Sequence, residues 1–158
     1  MLDGGTEPRW VGEARAKVGG GAMAEKVWPL LEDFCGLNKY LSSVHTCYQV
    51  EGLQGQPGLI RYCAGGEEEA VNWCREKLVA IDPTQRFLTY EILDNNIGFK
   101  SYSATLRVVP AGAGEEPGCA IEWSFVADPV EGFTFDGFLG FIELSAHDLA
   151  QNIATALQ

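Results

Sequence analysis

The sequence VNWCREKLVAID, residues 71–82, places one carboxylate between two cations in a segment with the composition of a β-strand. Strand side chains alternate between two faces, so Glu76 points away from the face that holds Arg75 and Lys77. Exposing two cations costs less free energy than burying them. We therefore predict that Glu76 points into the protein, where a carboxylate can act as a general acid or base.

A buried carboxylate needs a cation or hydrogen-bond donors, and Arg61 in GLIRYC is a candidate partner for Glu76. The strand pattern does not decide whether Arg61 points inward. An inward pair would be either part of a site or a salt bridge with no chemical role, and the glutamate could also lie at the wet rim of the sheet. The two alternating sets of this strand are Leu59, Arg61, Cys63 and Ile60, Tyr62.

The rest of the pattern predicts the elements that position these side chains. A strand at 9–18 precedes two short helices near 22–34 and 36–43, and an apolar stripe indicates a long helix from residue 134 onward. Short turns rich in glycine and proline separate six more strands, which favours antiparallel pairing. These strands lie near 46–51, 58–63, 69–82, 85–92, 101–110 and 119–127. The predicted fold class is α+β, with a curved antiparallel sheet around one long C-terminal helix.

Strand alternation also predicts which side chains share the inner face with Glu76. Its own strand contributes positions of the same parity from Asn72 to Ala80, and the helix stripe contributes Phe138. An apolar pocket with a few convergent polar groups is the usual form of a small-molecule site. The predicted substrate-binding residues are Tyr90, Tyr102, Asn72, Cys74, Leu88, Trp123, Phe125 and Phe138.

Composition and charge exclude several classes of function. The net charge of −11 repels nucleic acid and anionic lipid, and no window has the roughly 20 apolar residues of a membrane helix. Five cysteines without CxxC spacing argue against a disulfide scaffold or zinc site and favour a reducing cytosol. We expect no metal or cofactor and a monomer or weak homodimer in the cytoplasm. Residues 1–8 are expected to be a flexible tail before a single domain at 9–158.

Several segments resemble a known family. VEGLQGQPGLIRY is similar to the glycine-rich turn between two strands in the birch-pollen-allergen superfamily, whose START-like fold is called helix-grip. GLIRYC, WCREKLVAID and GFKSYSATLRVV resemble the plant lachrymatory-factor-synthase-like group, and the resemblance extends over about residues 9–157. The glycine-rich turn is not a nucleotide loop, because no GK[ST] follows it.

The resemblance implies a seven-stranded sheet that grips a C-terminal helix around a ligand cavity. It also implies that Arg61 and Glu76 carry the chemistry, with Tyr90 and Tyr102 in the pocket. The implied activity is an isomerisation in which Arg61, helped by the tyrosines, holds a substrate oxygen while Glu76 moves a proton. Asn72 stands where the family has an aromatic residue, so the pocket wall differs here.

Two other functions of the same fold remain as alternatives. A non-catalytic carrier or receptor for an apolar or amphipathic plant metabolite would use Arg61 and Glu76 only as a polar anchor. A hormone-gated receptor of the abscisic-acid type is disfavoured, because its gate and latch loops are replaced by CAGGEEEA and DNNIGF.

Overall fold

The protein is described by a computed structural model that covers residues 9–158, so the predicted tail at 1–8 lies outside the described residues. Seven strands form one antiparallel sheet in the order β1-β7-β6-β5-β4-β3-β2. The strands are β1 (Trp10–Val18), β2 (Thr46–Glu51), β3 (Ile60–Glu67), β4 (Ala70–Asp82), β5 (Phe87–Asn95), β6 (Tyr102–Pro110) and β7 (Cys119–Ala127). The helices are α1 (Ala24–Glu32) and α2 (Phe135–Ala156), with short 3₁₀ helices at Gly19–Gly21 and Phe34–Lys39. The predicted helix-grip arrangement is confirmed.

The chain order explains the sheet order. Strands β2 to β7 are joined by turns, so each strand from β3 to β7 pairs with the strand before it. The segment after β1 contains α1 and the 3₁₀ helix Phe34–Lys39, and it carries the chain to the opposite edge of the sheet. Strand β1 then pairs with β7 along its whole length, from Trp10 opposite Ala127 to Val18 opposite Cys119.

Helix α2 covers only part of the concave face of the sheet. Its N-cap residue, Thr134, accepts a hydrogen bond from the backbone N–H of Gly137 at 3.1 Å. The helix packs on β1 and β7, whereas the short 3₁₀ helix Phe34–Lys39 packs on β2 and β3. The side chains that α2 buries are Phe138, Ile142, Ser145, Ala146, Leu149, Ala150 and Ile153.

Two β-bulges in the β4–β5 pair change the predicted alternation. Leu78 pairs with Tyr90 and Ala80 pairs with Thr89, so Val79 is the extra residue. Ala80 therefore leaves the inner parity of Glu76, and its predicted inward orientation is wrong. The second bulge lies on β5, where Leu93 is the extra residue between Asp94 opposite Arg75 and Ile92 opposite Glu76. Bulges of this kind re-aim side chains beside sites.

The hairpin between β3 and β4 is shorter than the sequence pattern predicts. The glycine-rich run at 64–68 is not a turn, because β3 continues through Gly65 and Gly66 to Glu67. Gly65 instead allows close approach of another segment, since a Cβ there would overlap the backbone carbonyl of Ser43. The second short helix is also shorter than predicted and ends at Lys39.

Candidate functional site

A cavity of about 720 Å³ lies between α2 and the uncovered inner face of β3 to β6. The apolar part of its wall comes from both layers, including Ile92 and Phe138. Its polar groups are few and come mainly from the strands. The cavity is therefore a mostly apolar space in which a small number of polar atoms would orient a ligand.

Arg61 and Glu76 form a buried ion pair at the inner face. They are directly opposite each other on β3 and β4, and their residues are 3% and 7% exposed. Arg61 Nε and Nη2 lie 2.8 Å and 2.7 Å from Glu76 Oε1. Arg61 Nη1 donates to the backbone carbonyl of Phe34 at 2.7 Å, and the guanidinium lies 3.8 Å from the centre of the Phe34 ring. Packing on both sides thus fixes the orientation of the guanidinium.

Arg61 keeps its positive charge in this buried position. Burial alone would lower its pKa, but the adjacent Glu76 carboxylate, with smaller contributions from Cys63 and Tyr90, raises the pKa above its usual value. Arg61 is not among the residues that line the cavity, whereas Glu76 is. The guanidinium therefore lies behind the carboxylate, and its three nitrogens point to protein acceptors.

The second oxygen of Glu76 is left for the cavity. The hydrogen bond from Arg61 Nε and the ion-pair contact of Nη2 both end on Oε1, as does the long contact of 3.9 Å from Cys63 Sγ. Among residues 9–158, the one fully buried side-chain nitrogen or oxygen without a partner is Trp28 Nε1. Because no described residue donates to Oε2 and this atom is not fully buried, Oε2 borders the cavity. Oε2 is a hydrogen-bond acceptor whose position is fixed, because Arg61 holds the other oxygen of the same carboxylate.

Two phenols line the same cavity as this carboxylate. Tyr90 and Tyr102 hydroxyls are 3.3 Å apart, and Trp123 Nε1 donates to the Tyr102 hydroxyl at 3.0 Å. Burial, followed by the neighbouring Tyr102, raises the pKa of Tyr90 well above its ordinary value. Burial also raises the pKa of Tyr102, although hydrogen bonds from Tyr90 and Trp123 lower it in part. Both phenols are therefore protonated at neutral pH.

Three cysteines lie in one row across β2, β3 and β4. Cys47 is opposite Cys63, and Cys63 is opposite Cys74. The Cys47 and Cys63 sulfurs are 3.6 Å apart. The hydrogen bond to Cys63, followed by burial, raises the pKa of Cys47. For Cys63, the hydrogen bond from Cys47 lowers the pKa, but the contact with Cys74 and burial together raise it more. The thiols of Cys47 and Cys63 are therefore protonated near neutral pH and are not suited to act as nucleophiles.

The mouth of the cavity is framed by segments that the sequence pattern did not connect with the site. Phe133 and Phe141 are on the α2 side, and His45 follows the 3₁₀ helix. The segment before β2 is tied to α2, because Asp148 accepts hydrogen bonds from the backbone N–H and hydroxyl of Ser42 at 2.8 Å and 2.7 Å. This clamp fixes one side of the mouth.

The loop between β5 and β6 contributes Phe99 and Ile97 to the wall. Asn95 organises this loop: its Oδ1 accepts from the backbone N–H groups of Ile97, Gly98 and Phe99 at 2.9, 3.1 and 3.1 Å. An asparagine that binds the following backbone in this way is typical of a structured turn. Asn95 and Asn96 were therefore the feature of the sequence from which a structured turn carrying these two wall residues could have been predicted.

The structure brings most of the predicted site residues together. Glu76, Tyr90, Tyr102, Asn72, Cys74, Trp123 and Phe138 line the cavity, and Asn72 lies at its mouth. Leu88 and Phe125 do not line it. Leu88 lies deeper in the packed core, opposite Leu106, and Phe125 lies behind Phe138, with ring centres 5.0 Å apart. Other side chains therefore separate these two residues from the cavity.

The family comparison agrees with this architecture. The family model described as polyketide cyclase / dehydrase and lipid transport matches residues 13–158. The chain belongs to this family. The match covers α2 and every strand except the first residues of β1, so the family assignment applies to the part of the chain that forms the cavity.

Solved structures of this family's fold superpose on the chain. Ginseng major latex-like protein 151 from Panax ginseng aligns with a TM-score of 0.73 at 15% identity, covering 95% of this chain and 98% of the other. The protein XoxI from Bacillus cereus aligns with a TM-score of 0.70 at 20% identity, covering 95% of each chain. At these identities the comparison establishes the fold.

Residues 9–158 contain neither a membrane-spanning helix nor a cluster of metal ligands. None of the helices there has the length and apolar character needed to cross a membrane. In the same part of the chain, histidine, cysteine, aspartate and glutamate side chains do not cluster in threes in a way that would hold a metal ion.

Proposed function

We propose that the protein is an isomerase similar to lachrymatory-factor synthase, which moves a proton within a small apolar metabolite in its cavity. The observation that carries the proposal is the geometry of Glu76. One carboxylate oxygen is held by Arg61 at 2.7 and 2.8 Å, and the other borders a largely apolar space. A fixed carboxylate with one free oxygen beside a ligand is suited to proton transfer.

In the proposed reaction, Glu76 Oε2 takes a proton from one substrate atom and returns it to another. An alkenyl sulfenic acid is a suitable substrate, because moving its hydroxyl hydrogen to carbon while the double bond shifts gives a thial S-oxide. No atom is gained or lost, so a single acid–base group is sufficient. A positioned group of this kind typically accelerates a reaction by about 10²–10⁴-fold.

The hydroxyls of Tyr90 and Tyr102 complete the proposed site. Negative charge develops on the substrate oxygen when its proton leaves, and a fixed O–H donor stabilises that charge. The family resemblance implied that Arg61 has this role. Its nitrogens instead bind Glu76 and the Phe34 carbonyl, so we assign Arg61 the task of positioning the carboxylate.

Replacing Glu76 by glutamine tests this proposal. Glutamine keeps the shape of the side chain and an oxygen acceptor for Arg61, but it is not a base. We expect Glu76→Gln to lower turnover of an alkenyl sulfenic acid, generated in the assay, by at least about 10²-fold while the ligand still binds. The control is Glu68→Gln, which changes the net charge equally at the exposed hairpin tip. Unchanged turnover in Glu76→Gln would refute catalysis by this residue.

The second candidate function is that of a carrier for an apolar metabolite. It is favoured by the cavity volume of about 720 Å³, which is more than a small sulfenic acid fills. A carrier would retain its ligand after Glu76→Gln and would show no turnover in the wild-type protein. The same pair of assays therefore separates the two functions.

The proposed setting is a reducing compartment such as the cytoplasm. Support comes from the cysteines of the described chain, which are free thiols although Cys47 and Cys63 sulfurs are only 3.6 Å apart. We also propose that residues 9–158 act as one ligand-binding domain, since the family match and the cavity both extend over this region.

A further inference from the structure

We infer that the cavity selects uncharged ligands whose polar group both donates and accepts a hydrogen bond, and that it excludes carboxylates and amines of the same size. An aliphatic alcohol is the simplest member of this class. The inference rests on the proposed function only in placing the polar group of the ligand at Glu76. Three features support it: the charge of the ion pair, the positions of the other charges, and the number of free hydrogen-bonding atoms.

The exclusion of anions follows from the position of the cations. Within residues 9–158 the cavity wall contains no lysine or arginine; its acidic side chains are Glu76 and, near the mouth, Glu67, and its one histidine, His45, also lies at the mouth, away from Glu76. The Arg61 nitrogens are already bound to Glu76 and to the Phe34 carbonyl. A ligand carboxylate at the inner end would therefore face Glu76 without a free cation, and burying an unpaired charge is costly.

The exclusion of ammonium groups follows from the same pair. Arg61 and Glu76 together carry no net charge, and both are almost completely buried. An ammonium group beside Oε2 would share one carboxylate with a guanidinium that already holds it at 2.7 Å. The buried site would then contain two cations and one anion, and like charges at short distance disfavour the charged forms. An uncharged ligand group leaves the net charge of the buried site at zero.

The free hydrogen-bonding atoms indicate what the uncharged group must offer. Glu76 Oε2 is an acceptor. The two phenols share one contact at 3.3 Å, and Tyr102 also accepts from Trp123 Nε1. Whichever phenol donates to the other, one hydroxyl hydrogen remains for a ligand. The inner end thus presents one acceptor and one donor, which a hydroxyl group matches on both sides.

The test is a titration of the wild-type protein with three probes that share one chain length: octan-1-ol, octanoate and octylammonium. Isothermal titration calorimetry at neutral pH should show octan-1-ol binding at least about tenfold more tightly than either ion. Octanoate should bind more tightly as the pH falls through the pKa of its own carboxyl group, because the neutral acid carries a hydroxyl. Equal affinity for octanoate and octan-1-ol at neutral pH would overturn the inference.

Glu76→Gln provides a second arm, because it leaves the Arg61 charge without its counter-charge. We expect octanoate affinity to rise by at least about tenfold in this variant, while Glu68→Gln leaves it unchanged. No rise in a folded Glu76→Gln protein would also contradict the inference. If that variant does not fold, the wild-type probe series and its pH dependence decide. Both experiments measure binding and not turnover, so they test the inference even if the protein shows no isomerase activity.

Discussion

Arg61 contacts Glu76 through two nitrogens, and both contacts end on the same carboxylate oxygen, Oε1: Nε donates a hydrogen bond at 2.8 Å, and Nη2 lies 2.7 Å away. A symmetric fork would have bound both oxygens of the carboxylate. The observed one-sided contact separates the two oxygens by role: one anchors the side chain, and the other borders the cavity. The direct cross-strand pairing of β3 with β4 at these two residues produces this arrangement.

The first prediction concerns the stability of the ion pair. Arg61→Met leaves a buried carboxylate without its cation and should lower the free energy of unfolding by about 3–5 kcal/mol. The double variant Arg61→Met/Glu76→Leu removes both charges and should recover most of this loss. Urea denaturation measures both values. Arg75→Met is the control, because it breaks an exposed ion pair with Asp94 and should have a much smaller effect. Additive losses in the double variant would contradict the prediction.

The second prediction concerns the phenols at high pH. Burial raises the pKa of Tyr90 and Tyr102, so the unfolded chain loses these protons before the folded one does. Their contribution to stability is complete below the ordinary tyrosine pKa of about 10 and is lost as the pH rises above it. Ultraviolet absorbance should show two tyrosines that ionise only with unfolding. Tyr90→Phe should remove one from this late phase, and an unchanged late phase would show that other tyrosines cause it.

The third prediction concerns Gly65, where β3 passes under Ser43. Gly65→Ala introduces a Cβ that overlaps the Ser43 carbonyl, so either the strand or the cavity wall must move. We expect a loss of about 1–3 kcal/mol in the free energy of unfolding, and weaker ligand binding. Gly140→Ala is the matched control, because a Cβ at this helical position meets no atom within 4 Å and should stabilise the protein slightly. Equal effects of both substitutions would be inconsistent with the overlap.

The fourth prediction concerns the row of thiols. The hydrogen bond to Cys63 and burial raise the pKa of Cys47. For Cys63 the contact with Cys47 lowers the pKa, but the contact with Cys74 and burial raise it more, so little reactive thiolate of either residue forms near neutral pH. Iodoacetamide should label both much more slowly in the folded protein than in urea, as followed by peptide mass spectrometry. Labelling of Cys63 at the same rate in both conditions would mean that the thiol is accessible and ionised, contrary to the structure.

The orientation of Glu76 was predictable from its neighbours, but that of Arg61 was not. Arg75 and Lys77 cannot both be buried cheaply, so they determine the inner face of β4. On β3 the competing position is Tyr62, which is apolar enough to be buried. It instead stacks with Tyr48 and Trp73 on the outer face, at ring distances of 5.0 and 6.3 Å. That arrangement depends on residues from three strands, which local alternation does not encode.

The extent of the cavity could not be predicted from the sequence pattern either. Alternation places Leu88 and Tyr90 on the same face, but it does not indicate where side-chain packing ends and the cavity begins. That boundary depends on how α1 and α2 cover the sheet, and α1 packs on β6. The misplacement of Ala80 has a similar origin, because the bulge at Val79 arises from pairing with β5. Two-residue periodicity is reliable only between such bulges.

The Asp148–Ser42 clamp has a consequence for how the binding specificity of this scaffold could diversify. It fastens one rim of the cavity to the longest helix, whereas the β3–β4 hairpin has exposed residues at 67–70. Insertions or exchanges in the hairpin would reshape the opening without disturbing the carboxylate below it. Laboratory evolution of ligand size should therefore accumulate changes in the hairpin and spare the clamp.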